Sequence, residues 1–128
     1  MNIKNEEINI LNYQNIITTV YIVSLFISIY ITNVDKDSIA NPTKKHPNTI
    51  KLSIFNRTLV VIITFLFLYI SFKNKKIALK KGEKPDLFNL QIIASEISLL
   101  STIIVLYVVI KSMGENYSII SGINNPNL

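Results

Sequence analysis

The sequence predicts an all-α integral membrane protein in which three transmembrane helices form one compact bundle over residues 1–128. Hydrophobic residues make up 49% of the chain and charged residues only 16%, whereas about a quarter of a soluble domain is charged. A soluble chain of this size could not bury so much apolar surface, because small domains keep much of their surface wet. The apolar residues are also concentrated in three long segments, which indicates that lipid is part of the solvent.

Each apolar segment reaches the roughly 20 residues that a hydrocarbon core about 30 Å thick requires. The segments contain no Gly or Pro and many β-branched residues, a composition that would favour strands in water. In lipid every backbone N–H and C=O must be bonded within the segment, so helices are predicted. The predicted spans are about 11–32, 52–72 and 88–110, separated by a loop at 33–51 and a basic loop at 73–87, with a polar tail at 111–128. The start of the chain, MNIKNEE, lacks the positive charge of a signal peptide.

Lysines are densest in the second loop, which predicts the orientation of the chain. Positive residues in short loops favour the inner side of a membrane, so we expect the N-terminus and the 73–87 loop inside and the C-terminus outside. Gly82 should end a second helix that continues past the membrane, and Asp86 should cap the third helix. Five lysines are the predicted contacts to anionic lipid headgroups, each contributing on the order of 1 kcal/mol: Lys73, Lys75, Lys76, Lys80 and Lys81. Docking of a cytoplasmic partner is the alternative interpretation of this loop.

Each predicted helix carries a row of small or polar residues at near-heptad spacing, within about 100° of arc. Such faces associate in membranes through close approach and hydrogen bonds, so we expect the three rows to face the interior of the bundle. A water-lined path would need the same faces in several copies of the chain. The rows are Gln14, Tyr21, Ser24, Ser28 and Thr32; Ser53, Asn56, Arg57, Thr64 and Ser71; and Gln91, Ala94, Ser95, Ser98 and Thr102.

Glu96 is an acid inside the third span, and it lies roughly 140° from the polar row of that helix. The Leu, Ile and Val residues of the span contribute roughly −4 to −8 kcal/mol to insertion against about +3 for the acid, so the span should still insert. Arg57 is the candidate cation, but about 12 Å along the helix axis separates the two, so Arg57 is expected to extend to the interface. Glu96 could be a neutral hydrogen-bonding group, a contact to another protein, or a carrier of protons or cations.

No catalytic, cofactor-binding or metal-binding pattern is found in the sequence, so a non-enzymatic protein is predicted. The single histidine, His46, lies in a Pro-flanked loop and is interpreted as a solvated residue. The net charge of +5 is assigned to lysines that face headgroups and does not indicate nucleic acid.

The stretch LQIIASEISLLSTIIVLYVV, which follows a basic loop after FNRTLVVIITFLFLYI, resembles small uncharacterised multi-span membrane proteins of clostridia-like, low-GC Gram-positive bacteria. The resemblance covers the second half of the chain. It implies a location in the plasma membrane and no particular activity. In proteins of this kind the position of Glu96 is often apolar.

We therefore expect an accessory or interaction subunit whose partners are the anionic bilayer and either another membrane protein or a second copy of the chain. The alternative is an oligomeric pore or a small transport unit, holin-like or ion-conducting. Holins often end in a basic tail, whereas the residues after Lys111 include one acid and no base.

Overall fold

The computed structural model describes residues 2–114, which form three helices: α1 (Ile3–Ala40), α2 (Ile50–Lys80) and α3 (Asp86–Gly114). Each helix is long and apolar enough to cross a membrane. The predicted fold class is therefore confirmed, and the chain is a small multi-pass membrane protein. Most of the predicted polar tail, residues 115–128, lies outside the described residues.

The helices are longer than the predicted spans, and the connections between them are correspondingly shorter. The 38 residues of α1 extend about 57 Å, nearly twice the thickness of the hydrocarbon core. At its start, the Asn2 side chain accepts a hydrogen bond of 2.8 Å from the Asn5 backbone N–H. The ends of α1 consequently project beyond the hydrocarbon and can carry charged residues at no cost to insertion.

The faces of α1 and α2 that pack together repeat every seven residues. A seven-residue repeat keeps one side of a helix facing its neighbour, as in a coiled coil. The repeating buried residues are Ile10, Ile17, Ser24 and Ile31 in α1, and Asn56, Ile63, Ile70 and Ile77 in α2. Five of the isoleucines form the hydrophobic core. In lipid this core stabilises the pair by close packing, since leaving lipid for another apolar surface gains little.

Helix α3 packs antiparallel on a different face of α2. Hydroxyl oxygens of Ser71 and Ser95 lie 3.1 Å apart, and those of Thr64 and Thr102 also lie 3.1 Å apart. Helix α2 contacts both other helices, whereas α1 and α3 make no close backbone approach to each other within residues 2–114. Helix α2 is therefore the centre of the bundle.

The turn between α2 and α3 has the predicted stop signal. Gly82 has a φ of +79°, a left-handed conformation that glycine adopts without strain. The Glu83 N–H donates a 3.0 Å hydrogen bond to the Ala78 carbonyl, which closes the last turn of α2. Asp86 is the first residue of α3 instead of the residue before it. Its carboxylate still stabilises the helix, because the N-terminal end of a helix carries partial positive charge.

The connection between α1 and α2 is held by side chains at the end of α1. Thr49 donates a 2.9 Å hydrogen bond to the Asp35 carboxylate. The ring nitrogens of His46 lie 2.9 Å from the Asn41 carbonyl oxygen and 3.2 Å from the Asp37 carboxylate, and only 12% of the side chain is exposed. The interpretation of His46 as a solvated residue is therefore wrong: the ring packs against the end of α1. Within the described residues no three His, Cys, Asp or Glu side chains cluster as metal ligands.

The register of α2 against α3 predicts which cysteine pairs can form a disulfide. The chain has no native cysteine, so engineered pairs give no background. We expect Ser71→Cys with Ser95→Cys to oxidise readily in membranes, because the native hydroxyl oxygens are 3.1 Å apart. Loss of two hydrogens in the intact mass measures the bond.

The matched control combines Ser71→Cys with Thr102→Cys, which moves one thiol about 10 Å along α3 and out of bonding range. Equal oxidation of the two pairs would contradict the register.

Candidate functional site: a polar groove and a basic end

Asn56 joins α2 to α1 inside the membrane. Its Oδ1 accepts a 2.7 Å hydrogen bond from the Ser24 hydroxyl, and its Nδ2 donates a 2.8 Å hydrogen bond to the Ser28 oxygen. Asn56 is 2% exposed and Ser24 is 1% exposed. Since hydrocarbon offers no substitute partner, both ends of the amide have to be matched by protein.

The expectation that hydroxyl groups bond across the helices is confirmed at these two contacts and at the two contacts between α2 and α3. The predicted polar rows, however, are not wholly used in packing. Ser53 is also buried, and Thr32 and Arg57 are partly buried. The remaining members line an open groove or lie at its edge.

This polar groove lies over α2, between α1 and α3, and has a volume of about 370 Å³. Helix α1 contributes Gln14 and Tyr21 to its walls, and α3 contributes Gln91 and Ser98. The floor is formed by α2 residues between 63 and 71, in the half of the second predicted span that is nearer the 81–85 turn. The groove exists because α1 and α3 pack on separate faces of α2.

Four polar side chains of the groove form no hydrogen bond with any residue between 2 and 114: Gln14, Tyr21, Gln91 and Ser98. Gln91 and Ser98 are also exposed. Gln14, next to Tyr13, and Gln91, level with Lys75 in the α2–α3 register, lie near the membrane interface. Tyr21 and Ser98 lie deeper in their spans, where each polar group without a partner costs several kcal/mol. The groove is thus a surface at which an incoming donor or acceptor would be stabilised strongly.

One wall of the groove is also shaped for a helix. Ala94 and Ser98 are four residues apart on α3, both line the groove and both are exposed. Two small residues at this spacing let a second helix backbone come close. The groove therefore combines unmatched polar groups with a helix-packing surface.

Glu96 lies outside the groove, and the structure does not bring it to Arg57. Glu96 is exposed on α3, and it has no hydrogen bond or ion pair with the residues that the structure describes. The pairing of Ser71 with Ser95 and of Thr64 with Thr102 places Val109 opposite Arg57. Thirteen residues of α3 then separate Glu96 from the level of Arg57, or about 20 Å, which exceeds the predicted 12 Å.

The start of α1 is tied to the end of α2 by two ion pairs that sequence reasoning missed. Lys80 Nζ lies 2.9 and 3.1 Å from the two carboxylate oxygens of Glu6, and Lys81 pairs with Glu7. The hydrogen bond to Glu7 raises the pKa of Lys81. The ion pair between Lys81 and Glu7 therefore stabilises the fold at neutral pH, and this stabilisation is lost as the pH rises through the raised pKa of Lys81. The sequence does contain a signal for these ion pairs: α1 begins with acids, α2 ends with lysines, and the two ends meet when the helices pack antiparallel.

The five predicted headgroup lysines do not all line one pocket. Lys73, Lys76 and Lys80 line a single pocket between α1 and α2. Lys81 lines a different pocket beside Glu7. The Lys73 ammonium also lies 5.6 Å from the centre of the Tyr69 ring, within range of a cation–π interaction.

Comparison with protein-family models, with curated proteins and with solved structures finds no match to this chain.

The Asn56 bridge predicts a measurable loss of stability on truncation. Asn56→Ala removes two hydrogen bonds between α1 and α2, and such bonds average about 0.6 kcal/mol each in membranes, so we expect a loss of about 1 kcal/mol. Titration with a denaturing detergent, followed by circular dichroism, measures the unfolding free energy.

Thr58→Ala is the matched control, because within residues 2–114 the exposed Thr58 hydroxyl bonds only to the Ile54 carbonyl of its own helix. If Thr58→Ala is as destabilising as Asn56→Ala, the bridge does not join the helices.

Glu96 gives a second prediction, because the bundle does not use its carboxylate. Glu96→Leu should improve insertion of the third span by about 3 kcal/mol and leave the stability of the bundle unchanged. A glycosylation-based insertion assay measures the first quantity, and detergent titration measures the second.

Ser95→Leu is the comparison variant, since Ser95 contacts Ser71 on α2 and its loss should lower bundle stability. If Glu96→Leu weakens the bundle as much as Ser95→Leu does, Glu96 has a partner inside the chain.

Proposed function

We propose that the chain is a non-enzymatic accessory subunit of the plasma membrane that holds one transmembrane helix of another membrane protein in the polar groove. The observation that carries this proposal is the groove itself: four polar side chains line it without partners in the described chain, and two of them, Tyr21 and Ser98, lie within the hydrocarbon-crossing part of their helices. The resemblance to multi-span proteins of Gram-positive bacteria supports the plasma membrane as the location. The density of lysines near the 81–85 turn supports an inner position for that turn and for the N-terminus.

A helix is the occupant whose chemistry fits the groove. Its small residues can pack on Ala94 and Ser98, and its hydroxyl or amide side chains can bond to Gln14 and Gln91. The α2 floor of the groove supplies the apolar contacts of Ile63, Phe67 and Ile70. The partner helix should therefore carry at least one polar side chain in the half of the membrane nearer the 81–85 turn.

A second copy of the chain fits less well. A two-fold dimer brings the same surface of each copy together. Two concave grooves facing each other would leave a space between them, across which Gln14 and Gln91 of the two copies would have to reach. A single convex helix from another protein fills the space and supplies the missing partners.

The extent of the groove also argues against a pore. Its polar lining runs over α2 residues 63–71, which is about 13 Å of a hydrocarbon core about 30 Å thick. A conducting path would need polar lining over the whole thickness. The groove suits a local contact with a partner.

The test identifies what a crosslinker in the groove captures, and it then blocks the groove with a bulky side chain. A photo-crosslinking amino acid at Gln91, in cells that naturally contain the protein, should capture a transmembrane segment of a different membrane protein. Ala94→Phe should reduce this crosslinking at least about tenfold, since about 1.4 kcal/mol of lost packing is enough. Quantitative mass spectrometry of the crosslinked peptides measures both results.

The control variant is Leu100→Phe, which adds a similar ring at a position 59% exposed and outside the groove, and which should leave crosslinking unchanged. Three results would overturn the proposal: crosslinks from the groove only to a second copy, crosslinks only to lipid, or an equal effect of the two phenylalanines.

A further inference from the structure

The lysine pocket, which lies between α1 and α2 and is lined by Lys73, Lys76 and Lys80, has a volume of about 320 Å³ and is at the end of the bundle that carries the 81–85 turn. It shares no residue with the polar groove, and α3 does not contribute to it. The lining lysines, Lys73, Lys76 and Lys80, follow one stripe of α2. The position of this pocket, beside the charged turn and at the end of two apolar helices, is that of a membrane interface.

The charges in the pocket are not balanced. Glu6 is its only acid among the lining residues, and the Glu6 carboxylate is taken by Lys80, 2.9 Å away. Lys73 and Lys76 remain. Lys76 lies within the electrostatic influence of Glu6 but forms no salt bridge with any residue from 2 to 114. The lining residues of the pocket therefore carry an excess of two positive charges.

The apolar part of the pocket explains why a lipid fits better than a soluble anion. Ile10 and Ile77, both buried, form the floor. Tyr13 and Tyr69 stand at the sides and are 59% and 51% exposed, which is the placement of aromatic residues at a bilayer interface. The Lys73 ammonium lies over the Tyr69 ring at 5.6 Å, within range of a cation–π interaction. A ligand has to present negative charge at the rim and hydrocarbon along the floor.

We propose that this pocket binds the phosphate of one anionic phospholipid per chain, with Lys73 and Lys76 on the headgroup and an acyl chain along Ile10 and Ile77. Basic pockets between membrane helices on the inner side are suited to such headgroups. Lys75 and Lys81 are excluded from this site, although they belong to the same basic run. The proposal is independent of the partner helix in the groove.

The test counts lipids retained by the protein. The full chain is placed in bilayer nanodiscs of phosphatidylcholine and phosphatidylglycerol and released into native mass spectrometry. We expect one phosphatidylglycerol to remain bound to the unchanged protein. The double variant Lys73→Gln, Lys76→Gln should weaken this binding about thirtyfold, which is about 2 kcal/mol for two lysines.

The charge-matched control is Lys4→Gln with Lys84→Gln, two exposed lysines at the same end of the bundle and outside the pocket. It should keep the bound phosphatidylglycerol. Formation of the disulfide between residues 71 and 95, engineered into each variant, shows that the bundle is intact.

Two results would overturn the proposal. Equal loss of lipid in the two double variants would mean diffuse attraction without a site. The second result is displacement of phosphatidylglycerol by millimolar glycerol phosphate or inorganic phosphate. If phosphatidylcholine is then retained as well as phosphatidylglycerol, the ligand is a soluble phosphate.

Discussion

The hydrogen bonds of Asn56 to Ser24 and Ser28 fix the register of α1 on α2, and the other sites depend on that register. Lipid tails are as apolar as isoleucine, so the Ile-rich repeat alone gives close packing with little preference for one alignment over the next. A slip of one heptad would keep isoleucine facing isoleucine but would leave the buried amide without its partners. The cost of an unmatched amide in hydrocarbon is what selects the observed alignment.

With that register set, distant parts of the sequence come to the same level in the membrane. Glu6 and Glu7 reach Lys80 and Lys81, and Gln14 comes to the side of the groove opposite Gln91. Exposed ion pairs are weak by themselves, so the acidic and basic ends follow the helix pairing instead of causing it. Their contribution is to neutralise part of the lysine charge, which leaves Lys73 and Lys76 as the lysines of the pocket between α1 and α2 that have no carboxylate partner within residues 2–114.

The sequence predicted well what depends on local composition and poorly what depends on the choice of neighbours. The three spans, the stop at Gly82 and the polar character of Ser24, Asn56, Thr64 and Ser71 could be read from hydropathy and spacing. A helical period identifies a face, but it does not say which helix covers that face. For this reason the whole polar row of α3 was expected to face inward. In the structure Ser95 contacts Ser71 on α2, whereas Ser98 lines the groove without a hydrogen bond to residues 2–114. The contacts of His46 with Asn41 and Asp37 likewise depend on how the chain folds back after α1, which residue spacing in a loop does not define.

The groove and the lysine pocket lie on opposite flanks of one structural unit, the α1–α2 pair. Ile63 and Ile70 line the groove, whereas Ile10 and Ile77 line the lysine pocket, and all four belong to the same core. Each surface exists only when α1 and α2 are paired in the observed register, because each takes residues from both helices. A molecule that binds only the paired state stabilises that state by mass action. A helix in the groove and a lipid in the lysine pocket would therefore favour the same arrangement without touching each other, and their effects on bundle stability would have the same sign.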